Sequence, residues 1–111
     1  ISDITRITSF LELFDVITAR KGGDVEASYT AGLFAKGLNK IAQKFGEEAV
    51  ETAIAAVAEG KAETVSESAD LLYFLLVLWA AKGVEPADVW AELDKRVGAS
   101  GIAEKESRKK A

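Results

Sequence analysis

Residues 67–81 read ESADLLYFLLVLWAA, and the fold of the chain depends on this stretch. From Leu71 to Ala81 it contains no charged residue, so a helix formed there is apolar on every side. A helix that is apolar all round is a buried helix. Glu67 and Asp70 come directly before it and therefore lie at the edge of a core, where a bare carboxylate is costly unless it is paired or binds metal.

A second acidic cluster, EEAVE at residues 47–51, precedes this stretch. Side chains three or four residues apart are neighbours on a helix, so the members of each cluster share one face. Like charges at this spacing repel each other, which makes both clusters unfavourable unless a positive charge lies among them. Two antiparallel helices would present both clusters to one point, and we therefore predict that a divalent metal ion binds there. The predicted metal-binding and catalytic set is Glu47, Glu48, Glu51, Glu67 and Asp70.

The residue types that the sequence lacks restrict its chemistry. The chain has no cysteine, which excludes a disulfide, a thiolate nucleophile and a zinc–thiolate site. It has no histidine, which excludes imidazole ligation and a serine–histidine–aspartate triad. Any metal must be held by oxygen, and all-oxygen sites favour Mg²⁺, Mn²⁺ or Ca²⁺. The net charge of −4 argues against nucleic acid as the main partner.

The length of 111 residues suits one compact domain, residues 1–111. A composition that is 49% apolar and 29% charged is typical of an ordered globular protein. No apolar segment reaches the roughly 20 residues of a membrane span, and no signal peptide is evident. We expect a cytoplasmic protein without a membrane partner.

Hydrophobic periodicity and stop signals predict an all-α bundle of about five helices and no strand. Asn39 is expected to cap the third helix. The fourth helix begins either at the capping-box pattern Thr64-x-x-Glu67 or slightly earlier, near Ala62. Pro86 lies near the start of the fifth helix. The predicted ranges are residues 3–20, 30–35, 40–59, 62–82 or 64–82, and 86 to about 97.

Two of these helices carry apolar stripes that we expect to face inward. The stripes comprise Leu33 and Phe34 in the second helix, and Val89, Trp90, Leu93 and Val97 in the fifth. A buried central helix in so short a chain has too few neighbours to cover it completely. We therefore predict a two-fold homodimer whose bundle is completed across the interface.

Four aromatic residues are interpreted as core or interface packing: Tyr73, Phe74, Trp79 and Trp90. The alternative for Tyr73 and Trp90 is stacking on a nucleotide base.

Metal chemistry is one of two interpretations of the acidic clusters. Hard cations held by a few carboxylates and water typically act on phosphates. Lys40 and Lys44 lie about two turns and one turn before the first cluster on the same face, where they could meet a phosphate chain. The alternative is a solvated acidic face, in which Lys44 and Glu48 form a surface ion pair. The residues alone leave the two interpretations evenly matched.

Residues 28–52 read SYTAGLFAKGLNKIAQKFGEEAVET and closely resemble the phosphoribosyl-ATP pyrophosphohydrolase family, the second enzyme of histidine biosynthesis. The resemblance continues in ESADLLY at residues 67–73 and in GASGIAEKESR at residues 98–108. The acidic clusters alone are shared by the wider superfamily of all-α nucleotide pyrophosphohydrolases, which includes MazG-like and dimeric dUTPase-like proteins. The string from Lys36 to Glu51 and the tail are the segments that select the family.

The resemblance implies hydrolysis of the α–β phosphoanhydride of phosphoribosyl-ATP, dependent on Mg²⁺ or Mn²⁺. The products would be phosphoribosyl-AMP and pyrophosphate. The five carboxylates would hold the metal, and one of them would also be the base for the attacking water. The substrate-binding residues implied by the family are Thr30, Lys36, Lys40, Lys44, Lys105 and Arg108, and Tyr29 would line the pocket beside Thr30.

The sequence departs from the family pattern at Phe74, where the family commonly has histidine after the tyrosine. By the family resemblance, this departure would remove a hydrogen bond near Asp70, but the five carboxylates are intact, so activity is expected. Two other functions stay open at this point. One is a house-cleaning pyrophosphohydrolase acting on a non-canonical or deoxynucleoside triphosphate, and the string from Lys36 to Lys44 argues against it. The other is a non-catalytic helical dimerisation module with an acidic surface.

Overall fold

The structure is a computed structural model that describes the backbone of residues 2–98 and the side chains of residues 9–98. Five helices form this part of the chain, and it contains no strand, as predicted. The expected substrate residues Lys105 and Arg108 lie outside the described residues. The helices are α1 (Ser2–Thr18), α2 (Tyr29–Lys36), α3 (Leu38–Ala58), α4 (Lys61–Lys82) and α5 (Pro86–Val97).

Helix α4 is the centre of the bundle and contacts α1, α2 and α3. It supplies half of the buried core, and the side chains of the other three helices pack around it. The core comprises Phe14, Ile17, Leu33, Ile41, Phe74, Leu76, Val77 and Ala80.

With 22 residues and a mean hydropathy of 1.3 in its most apolar window, α4 is also long and apolar enough to cross a membrane. The central helix of a water-soluble bundle has the same properties, so this is weak evidence for a span.

The helix ends correct two details of the sequence-based prediction. Gly37, with φ of 96°, separates α2 from α3, and its carbonyl accepts a hydrogen bond from the Ile41 N–H at 3.2 Å. Asn39 therefore lies inside α3 and does not cap it. Helix α4 begins at Lys61, where the Glu63 carboxylate accepts a hydrogen bond from the Gly60 N–H at 3.1 Å. Of the two predicted starts, Ala62 is therefore closer to the observed start than Thr64 is.

An aromatic cluster of Phe10, Trp79 and Trp90 packs α1 and α5 against α4. The ring centroids of Phe10 and Trp90 are 5.7 Å apart, and those of Trp79 and Trp90 are 6.4 Å apart. Both tryptophans are half-buried in these contacts, which agrees with their interpretation as packing residues. The predicted inward stripe of α5 is wrong in its second half, because Leu93 is 48% exposed and Val97 is 85% exposed. Val89 and Trp90 in the first half of α5 are half-buried, whereas the apolar residues in its second half have no covering neighbour among the described residues.

One chain leaves a broad apolar surface uncovered. On α3, exposed aliphatic side chains recur at intervals of four and three residues, a spacing that places them on one helix face. On α4, two further aliphatic side chains are exposed despite the apolar character of that helix. These exposed residues are Val50, Ile54 and Val57 on α3, and Val65 and Leu72 on α4.

Replacing Gly83 by alanine is expected to lower the free energy of unfolding. Gly83 ends α4 with φ of 78°, and a side chain in this left-handed conformation costs roughly 1–2 kcal/mol. A Cβ at this position would meet no atom within 4 Å, so the cost arises from the backbone alone. Urea denaturation without metal or substrate measures the change.

Gly46→Ala is the matched comparison, because Gly46 lies inside α3 and a Cβ there would also meet no atom within 4 Å. Alanine should stabilise the protein here by up to about 1 kcal/mol through its higher helix propensity. A destabilising Gly46→Ala would show that this position is closely packed in the folded protein.

Candidate metal centre

The hairpin of α3 and α4 brings three carboxylates together. The two helices are joined by the two residues 59–60, so they run antiparallel and pack along their length. Glu48 of α3 meets Glu67 and Asp70 of α4, and one oxygen from each carboxylate lies within 4.8 Å of the other two. The predicted convergence of the two acidic clusters is therefore present for these three residues.

The environment of Glu48 disfavours its negative charge. Burial, followed by proton sharing with Glu67 and by the charges of Glu51, Glu67 and Asp70, raises the pKa of Glu48 from 4.5 to about 7. When the carboxylates are ionised, Glu48 Oε2 and Glu67 Oε2 are buried oxygens without a hydrogen-bond donor. Such oxygens are costly unless a proton or a cation approaches them.

These residues fit a hard divalent cation. Each of the three carboxylates offers an oxygen to the same small volume, and oxygen donors are what such cations prefer. A bound cation would compensate both unpartnered oxygens and the mutual repulsion of the charges. The geometry of the cluster and its two buried oxygens without a donor therefore fit a divalent cation.

The remaining two members of the predicted set lie beside this cluster. Glu51 is exposed, and it is close enough to Glu48 for its charge to contribute to the raised pKa of Glu48. Glu47 accepts a hydrogen bond from Gln43 Nε2 at 2.9 Å, and its Oε2 lies 3.9 Å from Lys44 Nζ. The structure therefore pairs Lys44 with Glu47, and the ion pair considered between Lys44 and Glu48 is absent because Glu48 faces α4.

The expected phosphate-binding lysines lie on both sides of Gly37. Lys36 is exposed at the end of α2, whereas Lys40 and Lys44 are half-buried on α3. Lys40, Lys44 and Glu48 are spaced four residues apart, which places the two lysines on the helix face that leads to the carboxylates. A cavity of about 390 Å³ is lined by Tyr29 and Lys36, among other residues.

Thr30 and Phe74 pack inside the protein. Thr30 is 5% exposed, and its hydroxyl forms a hydrogen bond with the hydroxyl of Tyr73, which joins α2 to α4 one turn after Asp70. Phe74 is buried, and its ring meets the rings of Tyr29 and Tyr73 edge-on. At the position where the family commonly has histidine, this chain thus has an apolar core contact.

Thr52 is a further residue at the centre that sequence reasoning did not predict. Its hydroxyl donates to the Glu48 carbonyl at 2.7 Å and lies 3.1 Å from the Glu67 carbonyl. A threonine four residues after a glutamate is unremarkable in a helix. Only the pairing of α3 with α4 reveals the second contact.

Comparison with known proteins agrees with this geometry. The profile of the family described as "Phosphoribosyl-ATP pyrophosphohydrolase" matches residues 10–97, which include both helices that carry the acidic cluster. A protein named "Phosphoribosyl-ATP pyrophosphatase" from Paramagnetospirillum magneticum is 69% identical over 99 residues, covering 89% of this chain and 91% of the relative.

Two further relatives bear the same name. The protein of Azospirillum brasilense is 63% identical over 97 residues, which cover 87% of each chain. That of Gluconobacter oxydans is 51% identical over 109 residues, covering 98% of this chain and 82% of the relative. Identity at this level over most of both sequences, on a helical hairpin that joins the two acidic clusters, shows that the chain belongs to the phosphoribosyl-ATP pyrophosphohydrolase family.

Proposed function

We propose that this chain hydrolyses phosphoribosyl-ATP to phosphoribosyl-AMP and pyrophosphate, the second step of histidine biosynthesis, with Mg²⁺ or Mn²⁺ as the cofactor. Membership of the family supports the substrate and the reaction. The single observation that supports the chemistry is the convergence of Glu48, Glu67 and Asp70 within 4.8 Å, with two buried oxygens that have no donor.

The carboxylates have two tasks in this proposal. Glu48, Glu67 and Asp70 would hold the metal, with Glu51 beside them and Glu47 at the periphery. The bound ion would neutralise charge on the phosphates and lower the pKa of a water molecule. One carboxylate would accept the proton of the attacking water, and Glu51 is well placed because it is exposed next to the cluster.

The cations would hold the substrate in line with this centre. Lys40 and Lys44 lie on the face of α3 that leads to Glu48, and Lys36 stands at the end of α2. Ammonium groups in such a row can follow a triphosphate from the metal outward. Lys105 and Arg108 of the tail are proposed to contact phosphate or ribose, as the family resemblance implies.

Glu48→Gln, Glu67→Gln and Asp70→Asn are each expected to reduce kcat/KM for phosphoribosyl-ATP by about 100-fold or more, as loss of one preorganised electrostatic group typically does. Each replacement keeps the shape of the side chain and removes its charge. Release of pyrophosphate in the presence of Mg²⁺ measures the effect, and circular dichroism checks that the variants fold.

Two controls separate this role from a general charge effect. Glu47→Gln should cause a smaller loss, because Glu47 is directed towards Gln43 and Lys44. Glu12→Gln, at an exposed position on α1, should cause none. Full activity of Glu48→Gln would eliminate the metal assignment. Faster turnover of a nucleoside triphosphate panel than of phosphoribosyl-ATP would instead favour the house-cleaning function.

Magnesium is expected to raise the melting temperature more at about pH 8 than at about pH 6, because the proton on Glu48 competes with the metal. In the metal-free protein the folded-state pKa of about 7 lies above the ordinary value of 4.5. The contribution of Glu48 to stability is therefore fully present below pH 4.5 and is lost as the pH rises through about 7. Thermal melts with Mg²⁺ or with chelator across this range measure both effects.

Glu48→Gln should remove this pH dependence, whereas Glu12→Gln should retain it. Equal stabilisation by Mg²⁺ on both sides of the Glu48 pKa would contradict the assignment of Glu48 as a ligand. A complete lack of stabilisation by Mg²⁺ would favour the non-catalytic dimerisation module.

A two-fold homodimer is the proposed assembly. The outer face of α3 carries Val50, Ile54 and Val57 in one stripe, and Val57 is 89% exposed in a single chain. An amphipathic helix normally buries its apolar stripe, and here the stripe faces away from the bundle core. A second copy of the chain would cover it and complete the bundle.

Ile54→Glu is expected to convert the dimer into a monomer, because the change places a charge in the proposed interface. Analytical ultracentrifugation gives the mass. Val25→Glu is the matched control, since Val25 is 52% exposed, close to the 51% of Ile54, but lies in the connector before α2. A wild-type protein that sediments with the mass of one chain would contradict the dimer.

We also propose that residues 1–111 act as one domain in the cytoplasm, with neither nucleic acid nor membrane as a partner. The net charge of −4 supports the first of these exclusions. The acidic residues on α4 support the second, because charged side chains are costly inside a bilayer.

A further inference from the structure

The hydroxyl of Thr52 connects the two helices of the metal centre. It donates to the carbonyl of Glu48, four residues earlier on α3, at 2.7 Å, and it lies 3.1 Å from the carbonyl of Glu67 on α4. A hydroxyl has one proton to donate, so the two carbonyls share it in a three-centre arrangement. A second link between α3 and α4 is the proton that the Glu48 and Glu67 carboxylates share, and this link is lost when both carboxylates are ionised.

The two carbonyls that accept from Thr52 belong to residues of the acidic cluster. Glu48 and Glu67 are the residues whose carboxylates contain the buried oxygens without a donor. Thr52 therefore links the backbones of the two residues that bear these side chains. A shift of α3 along α4 would break this contact and change the separation of the carboxylates at the same time.

We propose that Thr52 is a positioning residue, which holds Glu48 and Glu67 at the separation that binding of a divalent cation requires. The inference rests on the metal-dependent function proposed above. Thr52 itself contributes no ligand, since its hydroxyl is engaged with the two carbonyls. It acts through the carboxylates by fixing the register of the helices that bear them.

The shape of the side chain and its hydroxyl can be tested separately. Valine has the same branching at Cβ as threonine and differs by a methyl group in place of the hydroxyl, so Thr52→Val keeps the packing and removes the hydrogen bonds. Thr52→Ser keeps the hydroxyl and loses the methyl group. A role in packing predicts that serine is the worse replacement, whereas a role in positioning predicts that valine is.

The test measures Mg²⁺ affinity by calorimetry and kcat/KM with phosphoribosyl-ATP for the wild type and both variants. Thr52→Val is expected to weaken Mg²⁺ binding by about 10-fold or more, as replacement of groups that orient metal ligands usually does. Thr52→Ser should bind Mg²⁺ much as the wild type does. Unfolding in the presence of chelator reports any loss of stability that is independent of metal.

A second experiment, in a variant that lacks two of the carboxylates, tests whether Thr52 acts through them. In a Glu48→Gln/Glu67→Gln protein, Thr52→Val should no longer alter the residual response to Mg²⁺, since the carboxylates through which it acts are gone. If Thr52→Val does not fold, Thr52→Ala removes the same hydroxyl with a better helix former. Unchanged Mg²⁺ affinity in the folded valine or alanine variant would overturn the proposal.

Failure of the proposed function would appear differently. A wild-type protein that binds Mg²⁺ but does not hydrolyse phosphoribosyl-ATP would overturn the substrate and leave the role of Thr52 to be decided by the affinities. A wild-type protein without Mg²⁺ binding would overturn both the metal assignment and the positioning role.

Discussion

The packing of α3 against α4 holds Glu48, Glu67 and Asp70 closer together than their charges favour. Two unit charges about 5 Å apart repel each other by roughly 3 kcal/mol at an effective dielectric constant near 20, and water around an exposed group such as Asp70 reduces this figure. A single neutral hydrogen bond contributes only about 1 kcal/mol, so Thr52 alone cannot oppose this repulsion. The apolar contacts along the hairpin must supply most of the opposing free energy, and the hydroxyl fixes the register.

Helix α4 has two functions in the same 22 residues. Its later part forms half of the core, whereas its earlier part presents carboxylates at the edge of that core. The bond between Thr30 and Tyr73 then anchors α2 one turn beyond Asp70, so the start of the lysine-bearing segment is fixed relative to the acidic centre. A site that is destabilising when empty and is placed on rigid helices is a common compromise between stability and activity.

Local patterns in the sequence predicted the five helices and the meeting of two acidic clusters. Spacing within a helix places each cluster on one face, and two consecutive helices in a short chain were expected to pack antiparallel. The features that were missed depend on neighbours. Gly37, and not Asn39, is the N-cap residue of α3, and Lys44 pairs with Glu47 because Glu48 faces α4. Periodicity identified an apolar face on α5, but it could not show that Val97 is exposed.

The contact of Thr52 illustrates the same limit for the metal centre. Its bond to Glu48 follows from a four-residue interval within α3, yet its approach to Glu67 depends on how far two antiparallel helices slide past each other. A shift of one residue would keep every helix and every carboxylate, and would remove the contact. Sequence spacing could therefore predict which residues meet, but not what holds them at that separation.

The aromatic cluster also determines what intrinsic fluorescence can report. Both tryptophans of the chain, Trp79 and Trp90, lie in this cluster with Phe10, and Trp79 is nine residues beyond Asp70 on α4. At 1.5 Å per residue, this places the indole about 14 Å along the helix axis from the acidic centre. Tryptophan emission therefore reports whether α1 and α5 are packed on α4. It should change little when a ligand or a proton binds to the carboxylates.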